Sequence, residues 1–218
     1  MKRFLLQTFA ELDAQRPAGC PELVHFTESL ATTVIEEYSN PGDLVLDPFA
    51  GFGTTMVVAE RLGRRGYGVE LLQERVNQIS ASLRDSGSIV LGDARNLAQL
   101  VRSLRGSVSL VLTSPPYMSR NDHPENPLDA YATMTGDYGT YLEEIAEVFA
   151  DAATLLRPDG HVVVNVANIV HDGVLTPLAW DMARAISARL TLVQECYLAW
   201  DSQPADISGD YCLVFRQG

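Results

Sequence analysis

The chain has 218 residues, 46% hydrophobic and 20% charged, so it can bury a substantial core and falls outside the disordered class. No apolar run approaches the ~18 residues of a membrane span, and the formal net charge of −12 runs against the basic footprint of a free-standing nucleic-acid binder. The charge is uneven: residues 1–117 hold 11 basic and 13 acidic side chains, whereas residues 118–218 hold 5 and 15.

Met1 to Phe9 begins basic, but Gln7, Glu11 and Asp13 interrupt its apolar stretch, so the expectation is a cytoplasmic protein without a leader. Leu44 to Leu46, after the Pro41-Gly42 turn, reads as a short buried strand, and Thr54 to Leu62 as a helix that stops at Gly63. Gly66 to Glu70 is a second strand, with a helix from Gln73 to Leu83. Ser88 to Leu91 is a third strand and Val108 to Leu112 a fourth. Arg61, Arg64, Arg65, Arg102 and Arg105 are the candidates for a local positive face. Residues 118–139 form a long polar connection, of the kind usually kept for function. Tyr141 to Leu156 is an amphipathic helix, stopped by Arg157-Pro158-Asp159-Gly160 ahead of a strong strand from His161 to Ala167. A helix around Leu178 to Leu190 follows. Leu192 to Trp200 and Tyr211 to Arg216 have no helix between them and are expected to pair antiparallel. The alternation predicts one α/β domain over 1–218, with a largely parallel sheet and helices on both faces. Cys20, Cys196 and Cys212 are widely spaced and odd in number, which predicts buried free thiols and no metal site.

Two motifs carry the chemistry. Asp47-Pro48-Phe49-Ala50-Gly51-Phe52-Gly53-Thr54-Thr55 joins a strand to a helix through glycines that let backbone approach a ligand. It lacks the Gly-Lys-Ser/Thr ending of a P-loop, and an acid stands where a pyrophosphate would be repelled. Such a turn suits a cofactor with a cationic amino-acid end; it also serves as a plain tight turn capped by Thr54 or Thr55. Glu70, seventeen residues beyond Gly53, is placed to hold ribose hydroxyls. Asp93 could accept from an adenine amine or cap the next helix. Three acids at three successive strand ends share the rim where open α/β sheets bind ligands.

The second motif is Thr113-Ser114-Pro115-Pro116-Tyr117. Two prolines fix the backbone and lack amides, so a carbonyl beside the Ser114 hydroxyl offers two acceptors to one amino group. Tyr117 supplies a flat face for a base. Acceptors pulling on an aromatic amine direct its lone pair toward an electrophile.

The pair resembles the motifs of the amino-group (N4-cytosine and N6-adenine) DNA methyltransferases, which use S-adenosylmethionine. The Ser-Pro-Pro-Tyr form looks like the N4-cytosine type; an Asp in place of Ser114 is more typical of adenine enzymes. His25-Phe26-Thr27 and the helix after it look like the family's segment near the methionine end of the cofactor, and the motif order resembles the gamma arrangement. The resemblance covers about Phe26 to the C-terminus. It implies a Rossmann-like class I methyltransferase fold, a mostly parallel seven-stranded sheet with an antiparallel C-terminal strand. It also implies a cofactor set of Phe26, Thr27, Asp47, Pro48, Phe49, Gly51, Gly53, Thr54, Thr55, Glu70, Asp93 and Ala94. Ser114, Pro115, Pro116 and Tyr117 would be catalytic, with the Pro115 carbonyl as second acceptor and DNA as the partner. Members with their own specificity usually carry a sizeable recognition region, and here residues 118–218 are needed mostly for the sheet. The 118–139 loop is then the base-reading candidate, through Tyr117 itself and Arg120, Asn121 and His123. Two other readings stay open on sequence: an RNA base amino-methyltransferase, and a methyltransferase-like subunit, silent alone, whose partner or second copy supplies positive surface.

Overall fold

The computed structural model describes residues 1–17, 25–84, 88–120, 124–204 and 206–218. Its strands form one sheet in the order β1-β8-β9-β6-β5-β2-β3-β4, with β7 paired to β6 outside that path. The strands are β1 (Phe4–Gln7), β2 (Leu44–Asp47), β3 (Arg65–Glu70), β4 (Ile89–Leu91), β5 (Val108–Thr113), β6 (Leu156–His171), β7 (Val174–Thr176), β8 (Thr191–Trp200) and β9 (Ile207–Arg216). Pairing is parallel from β4 through β6 and between β1 and β8; β9 runs antiparallel to both β6 and β8.

The seven expected strands are present, and the last two pair antiparallel as their spacing implied. The sheet is larger than the expected seven. Phe4–Gln7 adds an edge strand beside β8, and β7 closes a hairpin with the end of β6. The edge strand escapes sequence reading because a four-residue run with a single buried member has no period to detect.

The helices are α1 (Phe9–Ala14), α2 (Glu28–Tyr38), α3 (Thr54–Arg61), α4 (Gln73–Ser82), α5 (Leu97–Leu100), α6 (Tyr138–Leu155) and α7 (Leu178–Ser187). Strand alternation sorts them onto two faces. Leu110, Leu112 and Val163 pack with Leu30, Val34 and Ile35 of α2, whereas Val111, Val162 and Val164 pack with Ile145, Phe149 and Ile186 of α6 and α7. At roughly 25 cal/mol per Å² of apolar surface, this two-sided burial is the dominant favourable term. Cys196 and Cys212 are buried free thiols, as expected; Cys20 lies outside the described residues.

β2 connects onward to β3 on one side and is flanked by β5 on the other. That reversal leaves a crevice at the carboxyl ends of β2 and β5, the usual ligand position of an open α/β sheet.

Candidate active site

The two sequence motifs meet at this crevice. Asp47 ends β2 and is 2% exposed. Its Oδ1 accepts from the Thr113 hydroxyl at 2.6 Å and the Phe49 N–H at 3.0 Å, and its Oδ2 accepts from the Thr55 hydroxyl at 2.7 Å. Burial pushes the Asp47 carboxyl up to about 6, against the pull of those three donors, and the nearby Glu70 adds to the rise. No cation pairs with it among the described residues. A buried anion without a cation is costly unless a ligand supplies one.

Glu70 ends β3, accepting from the Gly51 N–H and the Leu72 N–H, both at 2.9 Å. The turn between them is left-handed at Gly51 (φ 56°) and Gly53 (φ 86°), and a Cβ on Gly53 would lie 3.0 Å from Ile79 Cγ1. Leu71 and Leu72, each 37% exposed, set an apolar wall beside Glu70 on the same cavity. An acidic pocket for a cation, an acid for hydroxyls, a bare backbone turn and an apolar wall together fit S-adenosylmethionine.

Ser114, Pro115, Pro116 and Tyr117 line the same cavity, which has a volume of about 1420 Å³. The Tyr141 hydroxyl of α6 donates to the Pro116 carbonyl at 2.7 Å, so the double-proline turn is held from beneath. The Tyr117 ring is half-buried. Its hydroxyl accepts from the Ala167 N–H at 3.0 Å, and burial pushes its pKa well up. Phe26, Thr27, Pro48, Phe49, Gly51, Thr54, Asp93 and Ala94 also line the cavity, whereas Thr55 sits behind it holding Asp47. Thr27 caps α2, accepting from the Leu30 N–H at 3.2 Å, and donates to Gln7 at 2.6 Å, which ties the edge strand β1 to the site.

Residues 24–81 match the sequence model of a family described as DNA methylase. The Type II methyltransferase M1.MboII of Moraxella bovis is 47% identical over 60 residues, covering 26% of this chain and 23% of the relative. The DNA adenine methyltransferase YhdJ of Escherichia coli (strain K12) is 34% identical over 107 residues, covering 49% of this chain and 32% of the relative. Part of the chain is thus similar in sequence to N6/N4 amino-methyltransferases. The chain spans less than a third of the curated relatives it matches. Among solved structures, TrmN from Thermus thermophilus superposes with a TM-score of 0.61 at 20% identity, over 88% of this chain and 49% of that one. A geranyl diphosphate methyltransferase in complex with SAM superposes at 0.57 with 14% identity, over 96% and 94%. These likenesses show the methyltransferase fold.

Several expectations take a different shape in three dimensions. Asp93 caps the turn after β4 and grips Arg95, with Asp93 Oδ2 2.6 Å from Arg95 Nη2; Arg95 also pairs with Asp129 and with Glu144. The carboxylate expected for an adenine amine is thus shared with an arginine that reaches the 118–139 loop. Arg120 is turned to the wall between α6 and α7, with Asp181 Oδ2 at 3.0 Å and its guanidinium over the Tyr138 ring. Asn121 and His123 lie outside the described residues. The loop is less polar in its packing than its composition suggests, since Met118 and Leu128 are buried in the main core.

Most of the arginines named for a local positive face lie at the opposite strand ends from the crevice. Arg65 opens β3 and Glu70 closes it, a separation of about 17 Å at ~3.3 Å per residue. Arg61 ends α3 and pairs with Glu28, Arg64 binds the Ser39 carbonyl, and Arg102 and Arg105 precede β5. Arg64, Arg65, Arg102 and Arg105 therefore stand away from the carboxyl-end crevice, whereas the Arg61 guanidinium reaches Glu28, next to the cavity-lining Thr27. Sequence reading also missed Asn165, Trp200 and Asp210, which line the cavity from β6, β8 and β9. No local motif marks them, because they converge only when β9 folds back between β6 and β8. Among the described residues no helix is long and apolar enough to cross a membrane, and no cluster could hold a metal.

Proposed function

We propose that this chain is an S-adenosylmethionine-dependent methyltransferase domain acting on the exocyclic amine of a nucleobase, with N4 of cytosine in DNA as the favoured target. One observation carries the reading: the 2.6 Å bond from Thr113 to Asp47 joins the cofactor-type turn to the Ser-Pro-Pro-Tyr turn within one cavity. When bound, the cofactor supplies an electrophilic methyl group on a sulfonium. Asp47 faces its cationic end, Glu70 its ribose hydroxyls, and Leu71 and Leu72 its ring. Ser114 and the Pro115 carbonyl accept the two amine hydrogens, since the Pro116 carbonyl is already taken by Tyr141. Tyr117 bounds the base. Holding two reactants in line can lower a barrier by roughly 7–11 kcal/mol, so positioning by these fixed turns does most of the work.

Ser114 favours cytosine, whereas the similarity to a protein named DNA adenine methyltransferase favours N6 of adenine as the second reading. The acidic surface favours delivery to nucleic acid by a partner or a second copy that carries positive charge. The test is methyl transfer to DNA and to RNA by the wild-type chain and by Ser114→Ala, read by nucleoside mass spectrometry. The expected product is N4-methylcytosine in DNA, lost in Ser114→Ala while calorimetric binding of S-adenosylmethionine persists. N6-methyladenine would establish the second reading, and methylated RNA alone would change the polymer. Wild-type turnover by Ser114→Ala would overturn the mechanism.

A further inference from the structure

Among the described residues three buried carboxylates line the cavity, and the cofactor reading absorbs Asp47 and Glu70 but not Asp210. Asp210 is 5% exposed at the start of β9, opposite Ala167 of β6. Ala167 is the residue whose N–H donates to the Tyr117 hydroxyl. Asp210 thus stands one strand, about 4.8 Å, beyond the β6 residue that anchors Tyr117, three residues further along β6 than Val164, the partner of Thr113, and it lines the same cavity as Ser114.

Its fixed partners are neutral donors. Asn165 Nδ2 donates to Oδ1 at 2.9 Å and Trp200 Nε1 donates to Oδ2 at 3.1 Å. They orient the group while leaving each oxygen a lone pair for another donor. No cation lies within ion-pair distance among the described residues, in contrast to Asp43, Asp93 and Asp181, which all hold arginines. A desolvated, oriented anion beside the amine-holding turn is the arrangement that stabilises positive charge developing on a nitrogen. Ser114 can accept a hydrogen bond from an amine, but a hydroxyl does not retain a proton at neutral pH.

We propose that Asp210 is the proton acceptor of the reaction, sharing with Ser114 one N–H of the target amine and taking that proton as the amine is methylated. This rests on the amino-methyltransferase reading of the cavity. The amine lone pair forms the new C–N bond, and the electron pair of the broken C–S bond stays on sulfur. The surplus N–H proton moves to the Asp210 carboxylate, so the sulfonium charge and the carboxylate charge vanish together. Asp210 then returns the proton to water as product leaves.

Burial pushes the Asp210 carboxyl up to about 6. The titratable groups that Asp210 influences are Tyr117, Tyr211 and Cys212, each raised by burial and so neutral between pH 5 and 8; Arg16, Asp206 and His25, whose pKa burial lowers, line the same cavity. Asp47, also near 6, acts at the cofactor end, and its titration appears in cofactor affinity instead of in the saturated rate.

The experiment is kcat against pH at saturating S-adenosylmethionine for wild type and Asp210→Asn, with cofactor affinity by calorimetry and 13C resonances of the carboxyl groups. Wild type should lose activity on the acid side at or below pH ~6, since the bound cation lowers the carboxyl pKa. Asp210→Asn should bind cofactor normally, run about 10²- to 10⁴-fold slower and lack that acid limb. A carboxyl resonance titrating near pH 6 should disappear with the substitution. Should Asp210→Asn fold poorly, Trp200→Phe removes one donor and should move the acid limb to higher pH. An Asp210→Asn chain with wild-type rate and profile overturns the role of Asp210 alone. A wild-type chain that binds cofactor yet methylates no nucleic acid overturns the reading of the site, and Asp210 with it.

Discussion

Replacing Asp47 with Asn separates stability from binding at one atom pair. The carboxyl rises from 3.8 to about 6 in the folded chain, roughly two units, or ~3 kcal/mol between its protonated and ionised forms. Because the folded pKa is the higher one, the stabilising contribution is complete below pH ~3.8 and is lost as pH rises through about 6. At pH 8 the folded chain carries the full penalty of an ionised, buried Asp47. Asn is the same size and removes the charge. Its amide can face Thr55, whose hydroxyl then turns to donate to the Leu112 carbonyl, already 3.3 Å away. The unliganded Asp47→Asn protein should therefore be up to ~3 kcal/mol more stable than wild type at pH 8. At about 2–4 °C per kcal/mol for a chain of this size, its melting temperature should rise by roughly 6–12 °C. The difference should vanish near pH 4. Asp210 contributes its own fall to both curves, so their difference isolates Asp47. S-adenosylmethionine should bind about 10- to 150-fold more weakly, the equivalent of one charged hydrogen bond of ~1.5–3 kcal/mol. Scanning calorimetry from pH 4 to 8 and titration calorimetry provide both readouts. A melting temperature that tracks wild type at every pH, or an unchanged affinity, refutes the account of this pocket.

Gly53→Ala should destabilise the fold by about 1–3 kcal/mol, since the new methyl enters a left-handed turn (φ 86°) 3.0 Å from Ile79. Urea denaturation would show it as a lower midpoint at constant slope, and an unmoved midpoint would mean that the turn relaxes freely. Arg95→Met should cut the tie between Asp93, Asp129 and Glu144. About 1–2 kcal/mol is the expected loss for this partly exposed network. Amide hydrogen exchange should accelerate over residues 126–133 while β2 and β5 stay protected; uniform protection would show that the loop stands without the arginine.

Seven strands and the longer helices were legible because buried parallel strands read as continuous apolar runs and the helices keep their 3.6-residue period, whereas the short β7, α1 and α5 were not. β1 was not, being four residues long, and the extent of β6 was not, since its Pro158-Asp159-Gly160 start reads as a stop signal. At the site, Asp47, Glu70, Ser114 and Tyr117 stood out because each sits at a strand end next to glycine or proline, where side chains meet ligands rather than core. Asp93 and Arg120 show the limit of that logic. Their types and positions suited ligand contact, and in the fold each also holds an ion pair, Asp93 with Arg95 while lining the cavity and Arg120 with Asp181.

What the sequence by itself determined is the make-up of the two turns and the α/β alternation, because these depend on neighbours within a few residues. Only the tertiary structure decided that Thr113 would bond to Asp47, that most of the named arginines would stand at the far end of the sheet, and that Asp210 would reach the crevice with Asn165 and Trp200. Those relations come from strand order. Residues 45 to 66 positions apart become neighbours when β5 is laid beside β2 and β9 beside β6, and no local pattern records which strands will pair.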